Sequence, residues 1–146
     1  MSVLARRDDG LVVDDDPGRV DLEATFAMVV GEGYWANSRT PETVAASVRG
    51  SWVFGVYDES GTQVGFARAV TDRATFAWIC DVIVTEAYRG RGIGTWLVAT
   101  VLDAVEATGV QRQLLATLDA HHVYAREGFT PLAKPQTWME RDRRTP

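Results

Sequence analysis

The chain has 146 residues and a mass of 16.1 kDa, one domain's worth, and its 46% of hydrophobic residues can fill a core without staples. Fifteen basic against twenty acidic residues leave a net charge of −5 and a pI near 5.0, which argues against a nucleic-acid partner held by phosphate neutralisation. A single cysteine, Cys80, excludes a disulfide framework or multi-cysteine zinc site, and the two histidines, His121 and His122, are adjacent, so no histidine-rich metal cluster is expected.

Residues 1–10 carry Arg6, Arg7, Asp8 and Asp9 without an apolar stretch of the secretory kind. No apolar run approaches the 18 residues of a membrane span, so a cytoplasmic protein with no membrane partner is expected. Residues 11–14 read as a short strand closed by Asp15, Asp16, Pro17 and Gly18. Asp21 can cap a helix that runs to about Val30 with Leu22, Phe26 and Val29 on one stripe, stopped by Gly31 and Gly33. Thr40-Pro41 starts a second helix with Val44, Ala45 and Val48 inward, ending at Gly50.

The period then changes to two. Trp52, Phe54 and Val56 alternate through a strand, and residues 58–61 (Asp-Glu-Ser-Gly) form a turn. A second strand carries Val64, Phe66, Arg68 and Val70. After a turn at residues 72–74, a long apolar strand fills residues 75–84 with one charge, Asp81. Short turns make these three an antiparallel meander. Residues 92–108 return to helical spacing, with Ile93, Trp96, Leu97, Val101, Leu102 and Val105 inward and Gly109 as the C-terminal cap. A buried strand over 113–118, a short helix over 120–127 closed by Gly128, and strands over 129–132 and 137–140 complete the order, with a frayed tail after 141. The sequence predicts a single domain over residues 1–146, with its core at about 11–140, in which helices pack across an α+β sheet.

The sharpest local feature is Tyr88-Arg89-Gly90-Arg91-Gly92-Ile93-Gly94-Thr95, between a strong strand and a strong helix. Alternating glycines let the backbone approach a ligand, and the helix start directs free N–H groups and a positive dipole end into the same space. That combination suits phosphate or diphosphate. A P-loop needs Gly-Lys-Ser/Thr, and no lysine stands here. A dinucleotide fingerprint needs Gly-x-Gly-x-x-Gly after a first parallel strand, whereas this is Gly-x-Gly-x-Gly after a meander. A tight turn without a ligand is the bland alternative.

Arg89, Gly92 and Gly94 also satisfy Arg-x-x-Gly-x-Gly. With the preceding Val82-Ile83-Val84, this resembles the acetyl-CoA signature of the GNAT N-acetyltransferase superfamily. Downstream, Tyr124-Ala125-Arg126-Glu127-Gly128-Phe129 resembles the family's second signature, Tyr-x-x-x-Gly-Phe, and Ala120 also fits. Thr117 stands where many relatives have an asparagine that helps to hold the cofactor arm.

The resemblance implies a mixed, mainly antiparallel central sheet with helices on both faces. It implies acetyl-CoA as cofactor and a small-molecule or peptide amine as acceptor, joined in a ternary complex without a metal; dimers are common in such proteins. Such a transfer requires a neutral amine, a donor for the developing oxyanion and a proton for the departing thiolate. By resemblance, amides near Ile83 and Val84 polarise the thioester. Those of Arg91, Gly92, Ile93, Gly94 and Thr95 take the diphosphate beside Gly90, and Arg89 adds charge or braces the loop.

Tyr124 matches the family's tyrosine near the sulfur and is the candidate general acid, since a phenol is ordinarily protonated at neutral pH. Asp81 is either the base or an acceptor-binding carboxylate, with a salt bridge to Arg68 as the structural alternative. His121 is a second candidate base, because an imidazole titrates near neutrality. Cys80, Trp78 and Trp138 read as packing residues. The loop between the first two helices offers Tyr34 and Trp35 as an aromatic wall for a cation, and Arg39 for a carboxylate. The rival reading is an acyl-CoA-binding sensor or accessory domain that has lost catalysis; plain nucleotide binding is a third.

Overall fold

In the computed structural model, which describes residues 2–33 and 38–145, the alternating segments form one six-stranded sheet. Its strands lie side by side in chain order: β1 (Val3–Arg6), β2 (Val12–Asp14), β3 (Trp52–Tyr57), β4 (Gln63–Thr71), β5 (Ala77–Val84) and β6 (Gln113–Leu114). Neighbours from β1 to β5 pair antiparallel, and β6 joins β5 in parallel. The fold is α+β with a mixed, mostly antiparallel sheet. All six strands belong to the first of two compact units, Met1–Ala116; Thr117–Pro146 is the second.

β1 was expected to be tail. Four residues are too few for a legible period, and what makes the strand is its turn: Arg7 N–H donates to the Leu11 carbonyl at 2.9 Å, and Gly10 takes φ 86°. The meander falls where the alternation placed it.

Three helices flank the sheet: α1 (Leu22–Gly31), α2 (Pro41–Arg49) and α3 (Ile93–Glu106). The Asp21 carboxylate accepts the Ala24 N–H at 3.0 Å, and the Thr40 hydroxyl accepts that of Thr43 at 3.2 Å, the two caps read from sequence. On one face Met28 and Val29 of α1 and Val48 of α2 pack with Val53, Phe66 and Ile83 of the strands. Val84 has the opposite parity to Ile83, and the start of α3 at Gly94 comes against it, so α3 covers the other face with Leu97, Val98, Val101 and Val105 buried. Burying each such side chain contributes about 1.5–3 kcal/mol. A buried amide fixes α1 to β4: Gln63 Oε1 accepts the Asp21 N–H at 2.9 Å, and Gln63 Nε2 donates to Thr25 Oγ1 at 2.9 Å.

In the second unit, residues 121–125 form the short helix α4 (His121–Ala125), and Pro135–Thr137 form a 3₁₀ turn. The strands expected over 129–132 and 137–140 are not formed. Pro131 and Pro135 have no N–H for a ladder, and the backbone closes on itself instead, with Thr137 N–H donating to Lys134 O at 3.0 Å. Among the described residues no helix is long and apolar enough to cross a membrane.

Candidate active site

The site begins with an irregularity in β5. Phe66 pairs with Ile83 and Arg68 with Cys80, so two steps along β4 span three along β5. The extra residue is a bulge, and within it Asp81 adopts φ 53°, a left-handed conformation that costs a non-glycine residue about 1–2 kcal/mol. Asp81 is buried. Its Oδ2 accepts from Arg39 Nη1 and from Arg68 Nε, each at 2.6 Å, and Arg68 Nη1 donates to Ser51 Oγ at 3.0 Å. Burial alone would raise the carboxyl's pKa, but the bonds from Arg68 and Arg39 more than offset it and hold it below the ordinary value. The structure thus realises the Asp81–Arg68 salt bridge, with Arg39 as a second partner. At neighbouring Cys80, burial pushes the thiol up to about 11, which keeps it protonated at neutral pH.

Beyond Trp78 and Leu114 the parallel ladder between β5 and β6 stops. β6 is two residues long where six were expected. A bulged strand bends and twists more strongly, and the ladder ends short of the bulge. Residues 79–84 of β5 therefore have no strand partner on that side among the described residues.

β5 leads through a 3₁₀ turn, Glu86–Tyr88, into the glycine segment. Gly90 has φ 81° and Gly92, the N-cap of α3, φ 73°; a Cβ on either would meet no atom of the described residues within 4 Å. Conformation, rather than crowding, demands glycine here. Among the described residues no backbone carbonyl accepts from the amides of Arg91, Gly92, Ile93, Gly94 or Thr95.

Side chains hold the turn from both sides. Arg89 Nε donates to the Val84 carbonyl at 3.0 Å and its Nη2 to Glu32 Oε1 at 3.2 Å. Glu32 also accepts the Glu86 N–H at 2.8 Å and the Thr85 hydroxyl at 3.0 Å. On the far side Arg7 Nη2 donates to the Arg91 carbonyl at 2.9 Å, and the Arg91 guanidinium lies 4.9 Å over the Tyr88 ring. Of the two roles read for Arg89, this geometry is the brace. Glu32 and Arg7 were missed because their partners lie 53–84 positions away, with no local pattern to mark them.

The structure brings Val82, Ile83, Val84 and residues 89–95 into one strand–turn–helix unit, and it sets Arg39 against Asp81. Tyr34 and Trp35 lie outside the described residues. In the second unit Thr117 Oγ1 accepts the Ala120 N–H at 3.0 Å just ahead of α4, where His121 and His122 are exposed. The Tyr124 ring meets Phe129 edge-on at 5.8 Å, and the Phe129 N–H donates to the Tyr124 carbonyl at 3.2 Å, with Gly128 at φ 92° making the reversal.

The profile of the acetyltransferase (GNAT) family matches residues 22–129, well over half of the sequence. The chain belongs to the GNAT acetyltransferase family. A GNAT protein of Xanthomonas campestris pv. campestris with a solved structure is 37% identical, covering 90% of this chain and 92% of its own, with a TM-score of 0.85. A Gibberella zeae protein whose name gives an acetyltransferase class and no substrate is 25% identical over 134 residues, which is 79% of this chain and 76% of the relative. A Mycobacterium tuberculosis protein solved in complex with CoA is 24% identical, covers 83% of this chain and 72% of its own, and superposes with a TM-score of 0.67; that likeness is one of fold. The family match spans the β5 bulge, the glycine turn, α3 and the Tyr124–Phe129 segment.

Proposed function

We propose that this GNAT chain is an acetyl-CoA-dependent N-acetyltransferase, one catalytic domain that passes an acetyl group directly to a primary amine while both reactants are bound. The observation that carries the reading is the head of α3, where two left-handed glycines, with no atom near a Cβ among the described residues, open a run of amides that find no backbone acceptor there. Such a cradle fits a diphosphate, held by the backbone amides of residues 91–95 at the positive end of the helix. The CoA complex of a protein with the same fold supports that choice of ligand. Acetyl-CoA, when bound, supplies the activated thioester carbonyl.

The chain's own residues supply the rest. The edge of β5 at Val82, Ile83 and Val84, which has no strand partner among the described residues, offers backbone hydrogen bonding toward that carbonyl. Arg89 keeps the turn in shape through Val84 and Glu32, and Arg91 adds positive charge beside it. Tyr124, in the family's second signature, is the acid that holds a proton at Oη for the departing sulfur. Asp81, ionised and bound by two guanidiniums, is a weak proton acceptor, so its role in this reading is to anchor Arg39 and Arg68 near the acceptor. The amine then reacts as its own neutral fraction: its nitrogen bonds to the carbonyl carbon as the carbon–sulfur bond breaks, and the proton it sheds to water makes good the one Tyr124 passes to the sulfur.

The test is release of CoA thiol from acetyl-CoA across amino acids, polyamines, aminoglycosides and peptides, with mass detection of the acetylated product. Amine-dependent release matched by N-acetylated product is expected. Acetyl-CoA binding with no release on any amine would overturn the proposal and make the chain an acyl-CoA sensor.

A further inference from the structure

We infer that the acceptor amine carries a carboxylate and that Arg39 receives it, an inference that rests on the N-acetyltransferase reading above. It follows from unequal charges at the β5 bulge. Asp81 offers a single negative charge, through Oδ2, to two guanidiniums, and the Asp81 and Arg68 side chains are only 2% and 13% exposed. Neither arginine can lose its proton, so among the described residues the cluster keeps a net charge of +1, with water reaching it mainly at Arg39. A buried excess charge of this kind is stabilised by an anion that can reach it.

The accessible part of the cluster is Arg39, 25% exposed, whereas Arg68 is turned inward to Ser51. Arg39 gives one N–H to Asp81, and its Nε and Nη2 make no other hydrogen bond among the described residues. Asp81 thereby tethers one edge of the guanidinium while leaving donors for a carboxylate, the geometry in which arginine exceeds a point charge. The position suits an acceptor group: Arg39 immediately precedes the cap of α2, and its partner Asp81 lies two residues before Ile83 on the edge of β5 that has no strand partner among the described residues. The protein's overall charge of −5 does not oppose this, because screening limits each charge to about 8–10 Å in physiological salt.

The experiment compares acceptors with and without the carboxylate, at saturating acetyl-CoA and with each kcat/KM referred to the neutral fraction of that amine: phenylalanine, phenylalaninamide and phenethylamine, then leucine, leucinamide and isoamylamine. The expected result is a kcat/KM at least tenfold higher for the carboxylates. Arg39→Gln should raise KM for the carboxylates about ten- to hundredfold and leave the amides within about twofold, as loss of a charge-assisted pair requires. Should that variant melt before the assay temperature, Arg39→Lys keeps the charge without the fork and should show a smaller rise confined to the carboxylates. Amides and simple amines used as well as carboxylates would overturn the inference and leave the N-acetyltransferase reading intact. An equal loss on both acceptor types would also overturn it, leaving Arg39 as a brace for Asp81. No transfer to any amine would overturn the reading itself, and the inference with it.

Discussion

Gly92 separates the binding role of the turn from its structural role. Its φ of 73° places it in the left-handed region, and a Cβ there would meet nothing within 4 Å among the described residues, so Gly92→Ala has a conformational cost and no clash with them. That cost is about 1–2 kcal/mol, which for a chain of 146 residues lowers the melting temperature by roughly 3–8 °C. Under the proposed cradle binding should suffer more, because residue 92 stands within the run of amides, 91–95, that would meet the diphosphate. Losing one charge-assisted hydrogen bond weakens affinity about tenfold or more. Gly109, past the other end of α3, provides the control: φ is 94° and the space around it is equally open. Gly109→Ala should therefore match the loss of stability without a loss of affinity. Calorimetric titration of acetyl-CoA into both folded variants checks this. Wild-type affinity in Gly92→Ala, or an equal loss in Gly109→Ala, would refute the diphosphate cradle.

Three further outcomes are expected. Tyr124→Phe should lower kcat about a hundredfold at unchanged acetyl-CoA affinity, as loss of a general acid does; normal turnover removes it from that role. Asp81→Asn should lose about 3 kcal/mol at neutral pH, because two guanidiniums lose their shared carboxylate. Since the folded pKa of Asp81 is depressed, its contribution is present above the unfolded value near 3.9 and fades as pH falls through the folded one. Urea melts of wild type and variant should therefore draw together as pH falls below the unfolded value, and a constant gap would contradict the ion-pair account. Gly55→Ala should cost about 1–3 kcal/mol, because its Cβ would collide with the buried Tyr57 hydroxyl. Tyr57→Phe in the same chain should recover part of that loss, since the hydroxyl has no hydrogen-bond partner among the described residues.

What was legible in the sequence was whatever local chemistry decides. Asp21 and Thr40 cap the helices they were expected to cap, the meander follows its alternation, and the glycine turn falls between β5 and α3. What escaped depends on partners distant in sequence. The Val3–Arg6 strand is the local exception: four residues show no period, and the turn after them lays the strand against β2. β6 stops after two residues because β5 leaves it, not because the segment ceases to look like a strand. The Asp81 bulge is invisible in an apolar run, since one added residue does not disturb a nearly continuous hydrophobic pattern. Glu32 shows the same limit at the site: between two glycine-flanked helices it reads as an ordinary surface acid, yet it receives the Glu86 amide, the Thr85 hydroxyl and Arg89.

The most direct measurement compares two ligands that share the acetylated thiol arm, acetyl-CoA and S-acetylpantetheine, of which only the first carries a diphosphate. If the amides at the head of α3 hold that group, acetyl-CoA should bind at least a hundredfold more tightly, with the advantage narrowing as salt is raised. Equal affinity for the two would place the binding energy elsewhere and contradict the role given to the glycine turn.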